Sequence, residues 1–362
     1  MEKKWWALIM LAVAALIIVI ALLFVKQTYL APVSLDECKV LKYSGEGKPS
    51  VVIFSDNQIA QEYMNFFFSI KPYDKNKDKF NFYYIDSYEP NCDIYQGVAL
   101  LCYSRELIKK AASCPNDYIV VIGKGNEGLR SSSYMNVISI VYGTRMTVFS
   151  HEFGHAFANF ADEYTPASIP KNSKNCVPDC GSFGEGKEGC FEGCSRDDYF
   201  RSIDAGIMST LDSMTYGKFD ENIIISKIRE SAGITGSAVL ANRDCSKETY
   251  ILLDGNYSDG KMSILGRSVE RGCVGGNGAG GFGYSVTKED GSIIKGGEFN
   301  PELIFTDSLN GSKMAGGTTA REGAFLLKVP VIENSKSLEI SSEGQTIAEV
   351  NLKDVGARPC RV

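Results

Sequence analysis

Histidine is almost absent from this chain: 362 residues contain two. Both fall in one five-residue run, His151-Glu152-Phe153-Gly154-His155, so any imidazole chemistry is confined to that place. Clustered positive charge is missing too. The formal net charge is −6 and no basic cluster follows the N-terminal segment, which leaves nucleic acid without an electrostatic footprint and excludes it as a partner. A third absence is charge of either sign from Trp5 through Val25.

That uncharged run has 21 residues. At a rise of about 1.5 Å each it spans about 31 Å, matching a hydrocarbon core of about 30 Å. A secretory apolar region is shorter, about 7–15 residues, and ends in small residues; Phe24-Val25-Lys26-Gln27 supplies no such site. Residues 1–26 therefore read as an uncleaved signal anchor, with residues 5–25 as a single transmembrane helix and a cleaved signal peptide as the alternative. Lys3 and Lys4 against the single Lys26 orient it with the bulk of the chain extracytoplasmic. Eleven cysteines then read as a disulfide complement. The odd total leaves at least one thiol unpaired or intermolecular.

The histidine run has the form H-E-x-x-H. Residues four apart on an α-helix lie on one face, so both imidazoles reach one ion at about 2.0–2.1 Å. Glu152, beside the first, is placed to take a proton from a water on that ion. The flanks, Thr147-Val148-Phe149-Ser150 and Ala156-Phe157-Ala158-Asn159-Phe160, contain no proline and read as a helix. A catalytic zinc takes three protein ligands, and with no further histidine the third is expected to be a carboxylate. Asp162 and Glu163 are the nearest. At about 100° per residue Asp162 projects within about 20° of His151 and Glu163 about 120° away. A straight helix would carry Asp162 about 10 Å past His155, so the helix must stop and the chain fold back. Asn159, which tolerates the left-handed conformation, is the expected stop. Asp162 is the expected ligand; Glu163 and Tyr164 are either a solvated turn or support for the site.

The run His151 to Tyr164, HEFGHAFANFADEY, resembles the signature of the IgA-peptidase family of zinc metallopeptidases. Ser50–Asn57 (SVVIFSDN), Met64–Tyr73 (MNFFFSIKPY) and Phe80–Asp86 (FNFYYID) resemble that family's N-terminal portion, and the similarity covers roughly residues 49–230. The family more often has glycine where Asn159 stands. The resemblance implies an α/β (α+β) zincin, metzincin-like catalytic domain, a Zn2+ cofactor and peptide-bond hydrolysis; it does not imply immunoglobulin as the substrate. Gly206-Ile207-Met208-Ser209-Thr210 resembles the methionine turn beneath the metal, with Met208 as floor. Met214-Thr215-Tyr216 competes, with Tyr216 as a tyrosine able to reach the cleft.

Cys176, Cys180, Cys190 and Cys194 lie between these features as two C-x3-C pairs. A structural zinc more often uses two intervening residues, so nested disulfides, Cys176–Cys194 and Cys180–Cys190, are expected to staple a loop over residues 165–205. Residues 27–48 read as a stalk and 49–234 as the metallopeptidase domain. Short apolar runs at 50–55, 80–85 and 118–122 read as strands alternating with helices. Ser55 and Gln58 read as a capping box, and Val137–Tyr142 as an edge strand for a peptide or a plain internal one. From about residue 235, glycine-rich turns between short β-type runs suggest an accessory all-β, immunoglobulin-like sandwich over 235–362. Gly272–Gly283 reads as a flexible loop. All hydrolytic residues are expected before residue 235.

The expected function is a membrane-anchored, extracytoplasmic zinc metalloendopeptidase acting on a peptide or protein substrate, with His151, His155 and Asp162 on the metal and Glu152 as general base. The rivals are a surface adhesion protein with a vestigial metal domain, and a zinc amidase acting on a non-protein amide. No feature of the sequence sets an oligomeric state.

Overall fold

Runs such as Ser50–Phe54 (SVVIF), apolar at nearly every position, suit strands covered on both faces, and a mixed sheet is built around them. The computed structural model describes residues 37–124, 128–233, 244–258, 260–310, 313–320 and 322–353. The expected anchor at residues 5–25 lies outside these; among the described residues no helix is long and apolar enough to cross a membrane. The chain is mixed α/β, mostly strands in several sheets.

The main sheet contains β1 (Lys39–Lys42), β2 (Ser50–Phe54), β3 (Asn81–Ile85), β4 (Tyr118–Gly123), β5 (Ser131–Tyr134), β6 (Val137–Val141), β7 (Leu303–Asn310) and β8 (Lys313–Gly316). Their order is β1-β3-β2-β4-β6-β5-β7-β8, and β9 (Thr319–Ala320) also pairs with β7. Strands β3, β2, β4 and β6 are parallel. Strand β5 is antiparallel to β6, and β7 is antiparallel to β5.

Alternation along the strands separates two cores. Val51, Ile53, Phe82, Val120 and Ile138 face the helices α1 (Asn57–Phe67), α3 (Thr147–Ala158) and α4 (Lys218–Gly233). Val52, Phe54, Ile119 and Val121 face α2 (Arg105–Ala111) together with Tyr250 and Leu252 of the C-terminal part. Helix α1 is capped by Asp56, whose side chain accepts from the Ile59 amide. The cap is thus one residue later than the expected Ser55, because an aspartate carboxylate is a stronger acceptor for the open amides of a first turn.

In the C-terminal part, one sheet orders the strands 261–271, 249–258 and 323–330, and a second orders 293–299, 282–288, 335–342 and 345–351. Leu253, Phe282, Tyr284, Phe325, Leu327, Leu338 and Ile340 pack between them.

The expected boundaries differ from the structure in three places. Residues Lys39–Lys42, assigned to a stalk, form β1 against β3, and the neighbouring Cys38 is tied to Cys114. The division at residue 234 is crossed by β7, which leaves the C-terminal part to join the main sheet. Gly272–Gly283 is packed rather than loose. A Cβ on Gly275 would lie 1.4 Å from the Asn116 carbonyl oxygen and one on Gly280 2.1 Å from that of Phe299, so glycine is required for close approach. The Ala279 amide donates to the Ala156 carbonyl at the end of α3.

Candidate metal centre

All twelve residues of α3 are buried, which fits a helix apolar around most of its circumference. Phe149, Phe153 and Phe157 form an i, i+4 stripe toward the sheet, with Phe153 5.0 Å from Phe67 and 5.1 Å from Tyr118, centroid to centroid. His151 and His155 form the opposite stripe. The helix ends at Asn159, in the left-handed region at φ 56° and ψ 36°. The Phe160 amide then returns to the Gly154 carbonyl, and the Asn159 side chain donates to the Lys171 carbonyl at 2.7 Å. This reversal brings Asp162 back over the helix.

Four buried side chains converge: His151, His155, Asp162 and Asp307. The Nδ1 atom of His151 lies 2.8 Å from the Ile207 carbonyl oxygen, and that of His155 2.7 Å from the Phe160 carbonyl oxygen. A carbonyl can only accept, so each Nδ1 carries a proton and each Nε2 is the ring nitrogen left to ligate. Those Nε2 atoms are 3.1 Å apart. Asp162 Oδ1 lies 3.3 and 3.2 Å from them and Asp307 Oδ2 2.9 and 3.6 Å. Four potential ligand atoms therefore face one point. A tetrahedral ion with ligands at about 2.0–2.1 Å has ligand–ligand edges of about 3.3–3.4 Å, which these separations bracket. Asp162 Oδ1 also has no hydrogen-bond partner, although fully buried. The donor set fits a metal ion; two imidazoles with carboxylate oxygens suit zinc among others.

The cysteine-rich loop supports Asp162 from behind. Asn175 clasps Ala161, accepting from its amide at 2.8 Å and donating to its carbonyl at 2.9 Å. Ser195 donates to the Asp162 carbonyl at 2.6 Å. Cys176 is bonded to Cys194 beside these contacts, and Cys180 to Cys190 further out. Including Cys38–Cys114, Cys92–Cys102 and Cys245–Cys273, five disulfides form among the described residues. Cys360 lies outside them.

Met208 sits fully buried under the helix: a Cβ on Gly154 would lie 2.8 Å from its Sδ. The preceding carbonyl, Ile207, orients His151, so the turn both floors the helix and fixes one imidazole. Tyr216 is not at a cleft. Its hydroxyl donates to the Ser150 carbonyl inside the core, because Ile207 pairs with Thr215 and draws that segment beneath α3. Met214, its companion, is exposed. Glu163 turns away from the four donors toward Asn175, whose side chain donates to it at 3.3 Å, and toward Asp220.

Glu152 is completely buried, and neither carboxylate oxygen has a hydrogen-bond partner. Burial first, and then the charge of Asp307, push its carboxyl well above the ordinary glutamate range. Burial alone would lower His155, but the carboxylates of Asp162 and Asp307 outweigh it and hold the imidazole at about 9. The same attraction holds Asp162 well below the usual carboxylate range against the opposing effect of burial.

Two residues at this centre, Asp307 and Thr318, escape the sequence reading, which weighs Tyr164 as either a solvated turn or support for the site. Asp307 arrives on β7, 145 residues after Asp162 (307 − 162). Tyr164 donates to Asp307 Oδ1, and Thr318 donates to Asp162 Oδ2 at 2.6 Å. The available signal was one carboxylate two residues after Phe305 in the strand LIFTDSLN. One of the four donors thus lies beyond residue 235, in the part of the chain to which the sequence assigns no hydrolytic residue. No protein-family model and no curated protein matches this chain.

Proposed function

We propose that this protein is a zinc-dependent metallopeptidase, held outside the cytoplasm by an N-terminal anchor and similar to the IgA-peptidase family in its site. The observation that carries the reading is Glu152, a buried carboxylate without a partner, adjoining convergent metal donors. A purely structural site has no use for such a group, since burying it unpaired is costly. His151, His155 and Asp162 would hold the ion. Bound there, zinc supplies a Lewis acid for a scissile carbonyl and lowers the pKa of a water to about 7.

Glu152 takes the proton of the attacking water and delivers it to the leaving amine nitrogen. The Ile207 and Phe160 carbonyls keep both imidazoles in the ligating tautomer. Met208 holds the helix from beneath.

Metal analysis and prolonged digestion of a peptide library by the full-length chain test this reading. Glu152→Gln should retain one zinc per chain and lose about 10²–10⁴-fold in cleavage rate. Undiminished cleavage in that variant removes the general-base role. A second reading, a binding protein with a structural metal, draws on the fourth protein donor, Asp307, because structural sites are closed. It would be favoured by a chain that holds zinc tightly and cleaves no peptide under any condition.

A further inference from the structure

Asp307 is the feature that a hydrolytic centre does not require. A catalytic zinc keeps a coordination position open, whereas four protein donors close it. The carboxylate comes from β7, a strand contributed by the part of the chain that otherwise forms the C-terminal sheets. Strand β7 lies antiparallel on β5, with Phe305 opposite Ser133, Thr306 opposite Ser132 and Asp307 opposite Ser131. An extended peptide adding itself to the open side of β5 would take this same place. Phe305 stacks on the His155 ring at 3.8 Å and 15°, roofing the donors.

We propose that β7 is an internal occupant of the peptide-binding edge, and that Asp307 ligates the metal in place of the reacting water, holding the enzyme latent until the strand is displaced. This rests on the peptidase reading above. It also assigns the substrate's place: an extended segment paired antiparallel with Ser131–Tyr134.

The surrounding contacts fit a latch. Tyr164 holds the second oxygen of Asp307. The returning segment clasps β7 through the Gly317 amide on the Thr306 carbonyl at 2.9 Å, and Thr318 reaches Asp162. At Gly316, φ 146°, a Cβ would lie 1.9 Å from the Thr306 carbonyl oxygen, so this approach admits glycine alone. An open cleft of about 380 Å³, lined by Arg130, Pro166, Ser168, Thr306 and Thr318 among others, runs along the clasp. Its lining includes Thr306, the β7 neighbour of Asp307.

The test uses the full-length chain loaded with Co2+, whose visible absorption reports coordination number, and acetohydroxamate as the probe ligand. Wild type should keep a four-coordinate spectrum in millimolar acetohydroxamate. Asp307→Ala and Asp307→Asn should both shift toward five-coordination, and both, loaded with zinc, should cleave a peptide library at least tenfold faster than wild type. Asp307→Asn preserves the shape of the side chain and carries the test if the alanine variant does not fold. A wild-type spectrum that responds at the same probe concentration as the variants overturns the proposal, as does loss of metal from both. Variants that bind the probe yet cleave nothing would leave Asp307 as the closing ligand while removing the peptidase reading, so the two failures are distinct.

Discussion

Replacing Glu163 with glutamine should stabilise this protein, and by an amount that depends on pH in a defined way. Glu163 is 1% exposed, and burial pushes its carboxyl up to about 7 from an ordinary value of 4.5. Beside it, burial and then the charge of Glu163 push Asp220 well above the carboxylate range. A carboxyl whose folded pKa is raised holds its proton longer in the folded chain than in the unfolded one. Stability is then undiminished below pH 4.5, falls as pH rises between 4.5 and 7, and stays low above that. At 1.36 kcal/mol per unit, the full loss is about 3 kcal/mol. Glutamine has no charge to bury, keeps an acceptor for Asn175, and offers an amide donor to Asp220, whose oxygens have no partner. Urea denaturation of metal-free wild type and Glu163→Gln, at half-unit steps from pH 4 to 9, measures the difference directly. The gap should widen from acid to neutral pH with a slope approaching 1.36 kcal/mol per unit, then level off. A gap independent of pH, or one that widens toward acid, would refute the reasoning.

Thr318→Val removes the hydroxyl that orients Asp162 and should weaken metal affinity about 10–100-fold, read by competition with a chromophoric chelator; unchanged affinity would mean that the contact does not support the ligand. Because His155 is held at about 9 by its carboxylate neighbours, a metal must displace a proton below that pH. Apparent affinity should therefore rise between pH 6.5 and 8.5, by up to tenfold per unit for each proton released, and a flat titration profile would contradict the assigned charge state. Replacing Cys176 and Cys194 together by serine, which opens a link across 18 residues, should cost about 3 kcal/mol and also weaken metal binding, since that disulfide backs the Asp162 turn. The equivalent Cys245/Cys273 change should cost similar stability with no effect on metal affinity, and equal losses of affinity in both would show that the loss is global.

Local pattern determined much of this protein by itself. Spacing alone puts His151 and His155 on one stripe of a helix and Phe149, Phe153 and Phe157 on the other, because 3.6 residues per turn leaves no other arrangement. Asn159 marks the reversal, since few residues with a side chain accept positive φ. Asp162 then follows within three residues of that turn, and the nested cysteine pairs close over short separations. In each case the partners are near in sequence, so geometry is set before the rest of the chain is placed. What only the tertiary structure decided is what arrives from far away. The recruitment of Lys39–Lys42 as an edge strand, the packing of Gly275 and Gly280 against distant carbonyls, and the insertion of β7 beside β5 depend on backbone pairings that any extended segment could make. Asp307 is the clearest instance. In sequence it is one carboxylate in a strand of mixed polarity, without periodicity to link it to a helix 152 residues earlier (307 − 155). Only strand pairing in register with Ser131–Tyr134 puts its oxygen beside both imidazoles.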